Sequence, residues 1–114
     1  MDPRVREVVE GAMQNNQDLL KSLEEANDLK MGGLFETCFS KNSSNPDRFA
    51  DCFLEKQKKM EEIMNPMQFK IMFFSKSANN CLVQQKKSVP DCVQEATTGL
   101  KEVIENAKKS VERI

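Results

Sequence analysis

Cys38-Phe39-Ser40-Lys41-Asn42-Ser43-Ser44-Asn45-Pro46-Asp47-Arg48-Phe49-Ala50-Asp51-Cys52 sets a cysteine at each end of a run of turn-forming residues. Ser40 to Asp47 has no apolar period, and Asn45-Pro46 is a helix start, with asparagine as cap and proline at the first helical position. One continuous helix would hold Cys38 and Cys52 about 21 Å apart at 1.5 Å per residue. A disulfide needs Cα atoms within roughly 7 Å. A chain reversal between the two cysteines removes the conflict and sets them opposite each other across an antiparallel hairpin.

The plan recurs further on. Cys81 and Cys92 enclose ten residues, among them Ser88-Val89-Pro90-Asp91, a second cap with proline and an acidic residue behind it. The two halves therefore read as a weak internal repeat: a helix ending near a cysteine, a polar turn containing Pro-Asp, and a helix beginning near the next cysteine. Of the three ways to pair four cysteines, Cys38–Cys52 with Cys81–Cys92 fits these turns best. Each staple closes a loop of about 12 to 15 residues and by the chain-entropy model contributes roughly 3 kcal/mol. Two alternatives stay open: four reduced cysteines packed as small hydrophobes, or a zinc site. Zinc fits poorly, since its ligands usually come in close pairs such as Cys-x2-Cys and this chain has no histidine.

The hydrophobic pattern around the turns is helical throughout. Asp2-Pro3 starts helix one, and Val5, Val8, Val9, Ala12, Met13, Leu19, Leu20, Leu23 and Ala26 recur at three- and four-residue steps. It is expected to continue through Met31, Leu34 and Phe35 to Cys38, with a kink at Gly32-Gly33, since glycine weakens a helix by about 1 kcal/mol relative to alanine. Helix two carries Phe49, Cys52, Phe53, Met60, Ile63 and Met64, and Asn65-Pro66 interrupts it. Helix three has a stripe of Met67, Ile71, Phe74, Ala78, Cys81 and Leu82. Phe69, Met72 and Phe73 add a second apolar face, which predicts the most buried helix of the four. Helix four runs from Ser88 to the end on Val93, Ala96, Leu100, Val103, Ile104, Ala107, Val111 and Ile114. The expectation is a single all-α domain over residues 1–114, with hairpin one at about 3–64 and hairpin two at about 66–114.

Composition narrows the function. Seventeen basic residues against eighteen acidic leave a net charge of −1, so nucleic acid is an unexpected partner. No apolar run approaches the roughly 20 residues of a membrane span, and the start Met1-Asp2-Pro3-Arg4 lacks a signal-peptide core. Histidine, tryptophan and tyrosine are all absent, which removes the usual general base. Glu24, Glu25, Glu61, Glu62, Glu102 and Glu105 lie among lysines as a solvated face would, and Lys101, Lys108, Lys109 and Arg113 alternate with Glu102, Glu105 and Glu112. No enzyme, cofactor or metal is expected.

Lys21-Ser22-Leu23-Glu24 and Leu29-Lys30-Met31-Gly32-Gly33-Leu34-Phe35-Glu36-Thr37-Cys38 resemble the opening of the eukaryotic family with sequence similarity 136, and the later cysteines follow that family's order. Its members look like tandem relatives of the small Tim chaperones, with twin Cys-x3-Cys motifs on each helical hairpin. The resemblance implies a small Tim-like fold and the mitochondrial intermembrane space, where disulfides form and no cleavable presequence is needed. Cys38, Cys52, Cys81 and Cys92 match the outer cysteines of the twin motifs. Asn42, Arg48, Gln85 and Ser88 stand at the inner positions, which puts in doubt any function that needs the inner pairs.

The expected role is a structural or interaction protein, an accessory subunit or scaffold of a respiratory-type inner-membrane complex. Met67, Phe69, Met72 and Phe73 are the candidate partner contacts, provided that some of that face is exposed. The alternative is a chaperone for hydrophobic membrane-protein precursors, using Met60, Met64, Met67 and Met72 as an adaptable surface.

Overall fold

The computed structural model describes residues 2–114 and contains helix and turns but no strand among them. Helix α1 spans Arg4–Asn15, α2 Gln17–Lys41, α3 Pro46–Met64, α4 Met67–Asn79 and α5 Val89–Glu112, with a π-helical turn Asn80–Gln84 closing α4. The helix starts expected from sequence are present. Asp2 accepts the Arg4 backbone N–H at 2.9 Å, Asn45 accepts that of Arg48 at 3.1 Å, and Ser88 accepts that of Asp91 at 3.3 Å. Each satisfies one of the donors a helix start leaves open.

Helix one does not kink where its glycines suggested. Gly32 and Gly33 lie inside an unbroken α2, and the interruption falls at Asn16, between α1 and α2. Tertiary bonding fixes the break at Asn16. Asn16 is buried, and its amide donates to the carbonyl of Ala12 at 2.9 Å and to that of Thr97 on α5 at 3.1 Å. Such a side chain repairs the break and ties it to a neighbouring helix.

Four pairs of residues set the helix directions. Gly11 lies against Val93, Asn16 bonds Thr97, Lys108 donates to Ser22 at 2.8 Å, and Lys30 donates to the carbonyl of Glu112 at 3.1 Å. Thus α1 and α2 together run parallel to α5. Cys81 is joined to Cys92 and Phe74 packs on Gly99, so α4 runs antiparallel to α5. The body is therefore a three-helix bundle in which α1 packs on α4 and α5, while α2 packs on α3 and α5.

At about 1.5 Å per residue α5 covers only some 36 Å, whereas the molecule is 63 Å long with a radius of gyration of 18.5 Å. A compact domain of this size would have a radius near 13 Å. The excess length is the far end of the α2–α3 hairpin, which projects past the end of α5 at Lys30. One continuous core of Val5, Val8, Leu23, Phe74, Leu82, Leu100, Ile104, Val111 and their neighbours fills the body. Cys38 is buried outside that core, in the two-helix tip.

Helix α5 contributes more buried side chains than any other helix, namely Cys92, Ala96, Leu100, Ile104, Ala107 and Val111. The expectation that helix three would be the most buried is thus corrected. Its equivalent, α4, packs against neighbours on one side only, and its second apolar face points outward. Gly99 permits the α4–α5 approach, since a Cβ there would come within 2.7 Å of the Phe74 ring.

Candidate functional site: the staples and the outer face of helix α4

The disulfides Cys38–Cys52 and Cys81–Cys92 join the residues on either side of each chain reversal, with Cα atoms 5.7 and 5.8 Å apart. The four sulfurs are bonded in these two pairs, so none is a free thiol. The fold is accordingly a pair of disulfide-stapled helical hairpins sharing one elongated bundle.

Two of the four positions at which the twin-motif pattern places inner cysteines cap helix ends. Asn42 donates its side-chain amide to the Cys38 carbonyl at 3.0 Å, closing α2. Ser88 caps the start of α5. Arg48 offers its backbone N–H to Asn45, and Gln85 bonds back to the Asn80 carbonyl through its own amide at 2.9 Å.

Of the four candidate contact residues, three share a surface. Phe69, Met72 and Phe73 are 63%, 64% and 64% exposed, whereas Met67 is 7% exposed and belongs to the core. The helical wheel explains the division. Met67, Ile71, Phe74 and Ala78 follow one stripe toward α1 and α5, while Phe69, Met72, Phe73 and Lys76 follow another at three- and four-residue steps on the opposite side. Phe73 meets Phe74 edge to face with centroids 5.4 Å apart. Beside it Pro66, Phe69, Lys70, Phe74 and Val103 line an open apolar groove of about 470 Å³.

A second exposed apolar region went unread in the sequence. At the tip Phe35 packs edge-on against Phe49 at 5.0 Å and Phe53 at 5.6 Å. Phe39 meets Phe49 at 6.2 Å, and Phe49 stacks on Phe53 at 6.0 Å. With no third helix to cover them, Phe35 and Phe39 stay 44% and 50% exposed. The signal was available: phenylalanines at i and i+4 on both sides of one turn, Phe35 with Phe39 and Phe49 with Phe53, must meet once the chain reverses.

The methionines do not form one adaptable surface. Met60 and Met67 are in the core, Met64 is half-buried and Met72 is exposed on another side. Among the carboxylates, Glu24, Glu25, Glu61, Glu62 and Glu102 are exposed, and Glu105 is 3.9 Å from Lys101 one turn away. Hydrogen bonds from the Arg4 side chain and backbone hold the Asp2 carboxyl down at about 2.

Among the described residues no helix is long and apolar enough to cross a membrane, and no cluster of acidic or cysteine side chains could hold a metal ion. Comparison with protein-family models, with curated proteins and with solved structures finds no match to this chain.

Proposed function

We propose that the chain is a non-enzymatic interaction protein of the mitochondrial intermembrane space, an accessory subunit or scaffold of an inner-membrane complex. The observation that carries this is the row Phe69, Met72 and Phe73, large apolar side chains held outward on a rigid helix whose other side is anchored in the core. Exposing three such side chains in a row gives up burial worth roughly 1.5–3 kcal/mol each, a loss that docking at an inner-membrane assembly would recover. The disulfides agree with an oxidising compartment, and the resemblance in residues 21–38 suggests which one. Native purification from mitochondria followed by mass spectrometry tests the proposal. A stable complex containing the chain in fixed proportion supports it, and a free chain without co-purifying subunits overturns it.

The second reading, a chaperone similar to the small Tims, draws on the tip. Phe35, Phe39 and Leu54 are exposed there on a hairpin with no third helix, a surface suited to unrelated apolar segments. It predicts transient capture of varied hydrophobic precursors in place of a fixed complex.

A further inference from the structure

The same row of side chains lies within a segment of unusual charge. From Ile63 to Pro90 the chain has four lysines, Lys70, Lys76, Lys86 and Lys87, and no acidic residue, although the whole protein has net charge −1. All four lysines are exposed. Lys87 is paired with Glu95, while Lys70, Lys76 and Lys86 have no carboxylate within ion-pair distance among the described residues. Lys76 continues the stripe of Phe69, Met72 and Phe73, and Lys70 lies beside the groove at Phe69. Beyond Lys76 the line continues to Asn80 and to Val83, which is also exposed.

We infer that the outer face of α4 docks flat on an anionic lipid surface, with Phe69, Met72 and Phe73 entering the headgroup boundary and Lys70 and Lys76 meeting lipid phosphates. The charge pattern selects lipid over a protein partner. Lysine is depleted at protein–protein interfaces. At a bilayer its long apolar stem lies along the acyl boundary while the ammonium reaches the headgroups. Exposed aromatic and methionine side chains on a helix whose only charged residues are Lys70 and Lys76, and which is too short to span a bilayer, have the composition of an interfacial helix. Each lysine near an anionic surface adds to the attraction, and the effect fades within a Debye length.

The inference rests on the inner-membrane location proposed above and assigns this face to the lipid beside the complex, leaving the subunit contact to other surfaces; the test uses no other subunit, so the two can fail separately. The oxidised full-length chain is floated with phosphatidylcholine vesicles, with and without about one third phosphatidylglycerol. It should float with the anionic vesicles only, and should be released at about 1 M salt, where the Debye length is about 3 Å. K70E/K76E and F69S/F73S, all at exposed positions, should each weaken partitioning about tenfold or more, with helicity retained by circular dichroism. The milder K70Q/K76Q should give a smaller loss in the same direction. Absence of flotation with anionic vesicles at low salt overturns the inference, as does flotation that these variants leave unchanged. A face reserved for an acidic protein surface gives the first of those results.

Discussion

The side-chain amide of Asn16 donates to the carbonyl of Thr97 on α5 while also closing the end of α1 on the carbonyl of Ala12. One buried residue thus joins the break in the first arm to the central helix, and a substitution there disturbs both. Asn16→Ala removes the side-chain bond that closes α1 on the Ala12 carbonyl together with the tie to α5 at Thr97, and should cost about 1–3 kcal/mol, read as a lower denaturation midpoint with little change in m-value. An unchanged midpoint would show that the break is held by other contacts.

Glycine substitutions should separate into two classes. A Cβ at Gly99 would press on the Phe74 ring, whereas Gly32 and Gly33 face open space. Gly99→Ala is expected to destabilise by about 1–3 kcal/mol through overpacking. Gly32→Ala and Gly33→Ala should each stabilise by roughly 0.5–1 kcal/mol, because alanine lowers the entropy cost of an unstrained helix position. Thermal unfolding of the three single variants checks the split.

The two staples should differ in reach. Cys81–Cys92 ties α4 to α5 within the core, while Cys38–Cys52 clamps a tip held otherwise by phenylalanine edges. Replacing Cys38 and Cys52 with serine should therefore loosen the tip locally, with amide protection falling in residues 34–56 and kept in α5. The Cys81/Cys92 double serine variant should lower the stability of the whole bundle by about 3 kcal/mol. Hydrogen exchange read by mass spectrometry distinguishes the two outcomes. Equal loss throughout both variants would contradict the division into body and tip.

Acid should release the amino-terminal cap only at low pH. The folded value of Asp2, about 2, lies below its ordinary value of 3.8, so its contribution is present above 3.8 and is lost as pH falls through about 2. Asp2→Asn should abolish the low-pH titration of the Arg4 amide in a proton–nitrogen correlation spectrum. With no histidine in the chain, helicity should be level between about pH 5 and 8.

Much of this architecture was legible before any coordinates. Asn45-Pro46 and Ser88 marked the two reversals, and the distance argument then favoured the pairings Cys38–Cys52 and Cys81–Cys92, which the structure contains. Features that depend on which helix covers which were not legible. Gly32-Gly33 looked like the weak point, yet the break falls at Asn16, because its partner lies far along the chain at Thr97. Phe69 and Phe73 could be read as core or as contact surface, because helix three is apolar on two sides. Only the path of α5, beside one of those sides, shows that the other is left outward. The same holds for the candidate contacts, since Met67 differs from Phe69 only in the stripe it follows.

The staples are the central claim, and peptide mapping after tryptic digestion of the unreduced, alkylated native protein tests them most directly. Residues 31–41 should be found covalently joined to 49–56, and residues 77–86 to 88–101, with no alkylated cysteine. Four alkylated cysteines, or a link from the first hairpin to the second, would contradict the account.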